Sequence, residues 1–221
     1  MTRQTLAILS MIMIPVALYF AFIYAPTEAT MGQIQRIFYF HVPQAILSYT
    51  SAILLGLASL MYLIKGDLKW DRMAYCSAEL GVLFTVTTLI TGMIWAHPVW
   101  NTWWEFDARL TLELMLGLLF VGYHMLRAYL PERESRARLS TVFGFLALLD
   151  VPINYLSTYL WEQHHPRLYG PGGGGADPAI NIALLVSTMT FGILYAYLLT
   201  QRMAVARIEE EVEYLEQVVQ V

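Results

Sequence analysis

Thr5 to Thr27 reads TLAILSMIMIPVALYFAFIYAPT, a run without a single Asp, Glu, Lys or Arg. At about 1.5 Å rise per residue, a helix of this length crosses the roughly 30 Å hydrocarbon layer of a bilayer. It is too long for the apolar region of a signal peptide and has no small-x-small cleavage site before Pro26, so a retained first span is expected. The same reading repeats along the chain. Ile37 to Ile64 is also uncharged but longer than one crossing needs, and Pro43, at home in a first helical turn, is expected to open the true span. Residues 32–40 then become an interfacial segment, with His41 at the membrane surface. Spans are expected at about 5–25, 42–64, 79–97, 110–129, 139–160 and 180–199. The expected fold is an all-α integral membrane protein of six transmembrane helices. A short interfacial Trp-rich segment lies between the third and fourth, residues 1–200 form the membrane domain, and 201–221 form a cytoplasmic helical tail.

Composition agrees with this reading. The 221 residues are 57% hydrophobic and 14% charged, with a mean hydropathy of +0.52, whereas a soluble domain has about 45–50% apolar and about 25% charged residues. Thirteen basic residues against 17 acidic ones give a net charge of −4, which leaves no basic face to track a nucleic-acid backbone. One cysteine, Cys76, excludes an internal disulfide, a CxxC redox pair and a thiolate metal cluster.

Lys and Arg set the orientation. One set of loops and ends carries Arg3, Lys65, Lys69, Arg72, Arg127, Arg133, Arg136, Arg138, Arg202 and Arg207, and the opposite set only Arg36, Arg109 and Arg167. Both termini are therefore expected in the cytoplasm. Residues 27–41, 97–109 and 161–178 then face outward, which in a bacterial inner membrane is the periplasm.

The unusual residues fall in those outward segments. Five of six tryptophans (Trp95, Trp100, Trp103, Trp104, Trp161) and four of five histidines (His41, His97, His164, His165) lie there, leaving Trp70 and His124 elsewhere. An aromatic belt decorates both interfaces, so one-sided enrichment asks for another cause. In Trp100–Thr111, WNTWWEFDARLT, a helix would put Trp100, Trp103, Trp104 and Asp107 on one face as a slab of indoles. Such a slab suits a flat aromatic ligand, and two imidazoles from different spans are a standard means of holding haem iron. Zinc is disfavoured, because neither cysteine pairs nor an HExxH spacing is present.

WNTWWEFDARLT resembles the tryptophan-rich WWD signature, roughly WGxxWxWDxRLT, of the haem-handling proteins of cytochrome c maturation. Phe40-His41-Val42-Pro43 is similar to that family's histidine before the second span. Leu160-Trp161-Glu162-Gln163-His164-His165 is similar to its tryptophan-then-histidine segment after the fifth. Six spans in a short chain with one WWD segment resemble the CcmC, or haem exporter protein C, branch. The resemblance covers essentially the whole chain and implies that haem b is the bound group, with His41 and His165 as its axial ligands. It also implies that Trp100, Trp103, Trp104, Phe106, Asp107 and Arg109 belong to the haem-holding segment. Its implied partners are a periplasmic haem chaperone (CcmE-like), ABC transporter subunits (CcmA-like and CcmB-like) and a small single-span subunit (CcmD-like), with this chain a haem-handling protein that passes haem to the chaperone and could assist its covalent attachment there. Asn101 stands where the pattern has Gly and Phe106 where it has Trp. His97 stands where a basic residue is expected, and it and His164 remain further candidate ligands.

Arg109 could meet a haem propionate in bidentate geometry or pair internally with Glu105, Asp107 or Glu113. Asp107 is expected to cap the fourth span. Asp150, mid-span, is expected to satisfy polar groups freed by Pro152, and Glu113 to reach water. Gly170 to Ala176 (GPGGGGA) lacks a phosphate-loop ending and reads as a flexible linker. In the tail, Ile208, Val212, Leu215 and Val219 form one apolar stripe, either folded back on the protein or offered to a partner. Two other classes were weighed. A cytochrome b-like electron carrier would bury its histidine pairs within the bundle, and a small-solute permease would show repeated broken helices.

Overall fold

The computed structural model describes residues 2–160 and 177–219. Trp161, His164, His165, Arg167 and the glycine-rich stretch lie outside the described residues. Among the described residues there are six α-helices: α1 Arg3–Tyr19, α2 Phe38–Lys65, α3 Leu68–Trp100, α4 Ala108–Tyr129, α5 Arg133–Leu160 and α6 Pro178–Val219. All six contain segments long and apolar enough to cross a membrane, so the chain is an all-α, multi-pass membrane protein. Large apolar side chains such as Met11, Ile23, Leu118 and Leu149 are exposed around the bundle, the arrangement that lipid solvation favours.

Local sequence fixes the helix ends. Gly66 takes the left-handed conformation (φ 65°) that closes α2, its N–H reaching the Tyr62 carbonyl at 2.8 Å, and Asp67 then caps α3 by accepting from the Lys69 amide at 2.9 Å. A two-residue connection thus folds α2 and α3 into an antiparallel pair. The start of α2 differs from expectation. A 3₁₀ turn over Gln33–Ile37 runs directly into it at Phe38, so Pro43 lies buried inside the helix rather than at its opening. A π-helical turn, Phe20–Tyr24, ends α1, and Arg36 donates to the Ala21 carbonyl within it.

Half of the α2 span is buried, and α2 packs on α3, α5 and α6 as the central helix. Small residues allow the closest approach. A Cβ on Gly56 would lie 2.5 Å from the Leu148 side chain, and one on Gly144 would lie 2.3 Å from the Ser59 hydroxyl, so α2 and α5 meet through glycine. Leu55, Leu116, Phe120 and Tyr123 fill the core between α2, α3, α4 and α5. On the other flank, α1 packs against α6.

The sixth span and the tail are one helix. Glu210 meets Arg72 at 2.9 Å and Arg133 at 2.5 Å, Glu213 meets Arg136 at 2.7 Å, and Arg202 meets Glu79. The acidic face of the tail is thereby held against α3 and α5, while Ile208, Val212, Leu215 and Val219 remain exposed. Asp150 also departs from expectation. It is buried, yet makes no hydrogen bond among the described residues. The carbonyl that Pro152 frees belongs to Leu148, two residues before Asp150 and so on the opposite side of the helix.

Candidate haem site

The site forms at the end of the bundle where α2 begins and α3 ends. His41, in the second turn of α2, faces α3, and its Nδ1 lies 3.0 Å from the Thr91 hydroxyl. A Cβ on Gly92 would stand 3.1 Å from His41 Cε1, so a glycine makes room for the imidazole. The ring borders a small cavity of about 30 Å³. Thr88, Gly92 and Ala96 line its α3 side, at the four-residue spacing of one helix face. Trp103 and Trp104 close it from the α3–α4 connection and Arg109 from the first turn of α4, and Tyr49 and Glu113 lie deeper.

The Trp-rich segment is not helical. Asn101 sits in the left-handed region (φ 57°) and stops α3, and Asp107 restarts the chain as α4 by accepting from the Leu110 amide at 2.7 Å. The expected cap is present. The expected single indole slab is not, because an extended connection aims its side chains separately. Trp100 folds back edge-on to Trp95 at 5.0 Å between centroids, and Trp103 stacks on His97 at 4.2 Å and 28°. Trp104 lies at the cavity, with Phe106 edge-on at 6.1 Å. Phe106 itself is 87% exposed, as is more than half of Trp103.

The structure therefore brings His41, Trp103, Trp104 and Arg109 to one cavity. It places Trp100, Phe106 and His97 outside the lining and gives Asp107 the cap. His165 lies outside the described residues. Among the described residues Arg109 forms no ion pair with Glu105, Asp107 or Glu113. Glu113 departs from expectation, being buried at 4% exposure and accepting from the Ser48 hydroxyl at 2.8 Å. It also lies within electrostatic range of Asp150, so Asp150 is not an isolated acid in the interior.

Sequence reasoning passed over Thr88, Thr91, Gly92 and Ala96, which are unremarkable by type. Their signal was the small-residue spacing on the helix that ends at the tryptophans.

Comparison with known proteins shows the family. The family model described as Heme exporter protein C (CcmC) matches residues 1–218. The chain belongs to the Heme exporter protein C family. The Heme exporter protein C of Escherichia coli K12 is 33% identical over 202 residues, covering 90% of this chain and 80% of that protein. The Bradyrhizobium diazoefficiens protein of the same name is 32% identical over 195 residues, covering 87% and 74%. A Marchantia polymorpha mitochondrial protein, named as ccmC-like and for cytochrome c biosynthesis, is 31% identical over 171 residues, covering 77% and 71%. Within the CcmC family match, the segment around His41 and the WWD-like segment both fall inside the matched range.

Proposed function

We propose that this chain binds haem at the His41 end of its bundle and passes it to a periplasmic haem chaperone for cytochrome c maturation. The observation that carries the reading is a cavity combining a hydrogen-bonded imidazole, two indoles and an arginine that makes no ion pair among the described residues. Names among its relatives point the same way.

The residues fit haem b as cargo. His41 would supply one nitrogen to the iron, and His165, through its resemblance to the family's second histidine, would supply the other. Trp103 and Trp104 hold the plane by apolar burial and stacking, and Arg109 matches a propionate in charge and fork geometry. Phe106 and the outer face of Trp103, both exposed, give the chaperone a surface to approach. Bound haem supplies the iron and the vinyl carbons that are the points of later attachment, while this chain orients the group and shields it from water.

Ten basic residues on the tail side against three on the His41 side support a cytoplasmic location for both termini and a periplasmic one for the site, in a bacterial inner membrane. ATP hydrolysis is assigned to separate CcmA-like and CcmB-like subunits, with a CcmD-like single-span protein as a further partner. The test is an optical spectrum of the detergent-purified protein after haem supplementation, oxidised and reduced, beside His41→Ala and His165→Ala variants. A six-coordinate bis-histidine spectrum that becomes five-coordinate or disappears in each variant is expected. Unchanged spectra in both variants would overturn the ligand assignment, and no haem uptake by the wild type would overturn the function.

A further inference from the structure

The imidazole of His41 is held by groups that the functional reading leaves unassigned. Thr91 Oγ1 stands 3.0 Å from His41 Nδ1, and it also lies 2.7 Å from the Thr87 carbonyl and 3.1 Å from the Thr88 carbonyl on its own helix. A threonine hydroxyl has one proton, and a carbonyl can only accept. The proton of Thr91 is thus committed to the α3 backbone, and its oxygen is left to accept. An accepting oxygen beside Nδ1 calls for an N–H there, which leaves the lone pair on Nε2. Gly92, directly after Thr91, keeps the α3 surface low enough for the ring to reach this position.

We infer that Thr91 is a positioning residue for the iron-binding histidine: it fixes His41 in the Nδ1–H tautomer and strengthens Nε2 as a donor to haem iron. The inference rests on the haem reading proposed above. An N–H···O contact on the far side of a ligating imidazole orients the ring and raises its basicity, and losing such a partner typically costs about 10–100-fold in metal affinity. A more basic imidazole favours ferric over ferrous iron, so the contact lowers the reduction potential.

The experiment compares full-length wild type, Thr91→Val and Thr91→Ser, each loaded with haem in detergent. Valine keeps the shape of threonine without the oxygen, and serine keeps the oxygen. Two quantities are read: the rate of haem loss to excess apomyoglobin and the midpoint potential by spectroelectrochemistry. Thr91→Val is expected to lose haem about tenfold faster and to show a raised potential, while Thr91→Ser stays close to wild type in both. Melting of the three haem-free proteins at the same temperature separates this effect from damage to the bundle. A valine variant that matches wild type in both readouts overturns the inference while leaving the haem reading intact, and so does a serine variant as impaired as valine. Failure of the wild type to take up haem overturns the haem reading itself.

Discussion

The two ends of this bundle treat charge in opposite ways. At the tail end, positive groups are answered by negative ones. Arg127 grips Asp71 through two hydrogen bonds of 2.6 and 3.0 Å, with Tyr75 and Tyr123 rings on it at 5.3 and 5.4 Å, and Arg72, Arg133, Arg136 and Arg202 pair with glutamates. At the His41 end, Arg109 sits beside an imidazole and two indoles, within electrostatic range of Glu113, and makes no ion pair among the described residues. Internal pairing satisfies a charge and joins helices, but leaves little capacity for an anionic ligand. An arginine at a cavity with no such partner costs stability and retains that capacity, which is the signature of a site rather than of a joint.

Breaking one end at a time separates the two roles. The largest effect is expected from Arg127→Met, which leaves Asp71 buried without its partner and lowers stability by about 3 kcal/mol. Thermal melting of the haem-free protein measures this, and haem affinity should scarcely change once the protein is folded. Arg109→Gln should do the reverse. Haem binding is expected to weaken about tenfold, the worth of one charge-assisted contact, with melting of the haem-free protein unchanged. A porphyrin whose propionates are esterified should bind wild type and Arg109→Gln equally. Parallel losses of stability and affinity in both variants would erase the distinction between the ends.

The smallest effect concerns the loop that leads into α2. The Met31 amide, at 2.5 Å, together with the Thr30 hydroxyl and amide, holds the Glu28 carboxyl below its ordinary value of 4.5. A lowered folded value means that this contribution is complete above about pH 4.5 and fades as pH falls through the lowered value. Amide exchange at Met31 should therefore be protected near neutral pH and, after correction for intrinsic exchange, lose protection in more acidic buffer. Glu28→Gln should show weakened protection at both.

Much of the architecture was legible in the sequence because each signal was local. Uncharged runs marked the helices, and Asp107 stood where a cap was needed. What remained hidden depended on other segments. The tryptophans were expected on one helical face, but the left-handed Asn101 breaks α3 and sends Trp100, Trp103 and Trp104 to different neighbours. Glu113 was expected at water because it lies near the start of α4, yet Ser48 from α2 receives it in the interior. Thr91 became visible only when the packing of α2 on α3 set it against His41.

The most direct test of the account is the position of the iron in the haem-loaded, full-length protein, determined by cryo-electron microscopy. The tail end offers a rival location, a polar cavity lined by Arg72, Arg127, Arg133, Arg136 and His124, whose Nε2 has no hydrogen-bond partner among the described residues. The account predicts iron within bonding distance of His41 Nε2, with a propionate against Arg109. Iron beside His124, with the His41 cavity empty, would contradict it.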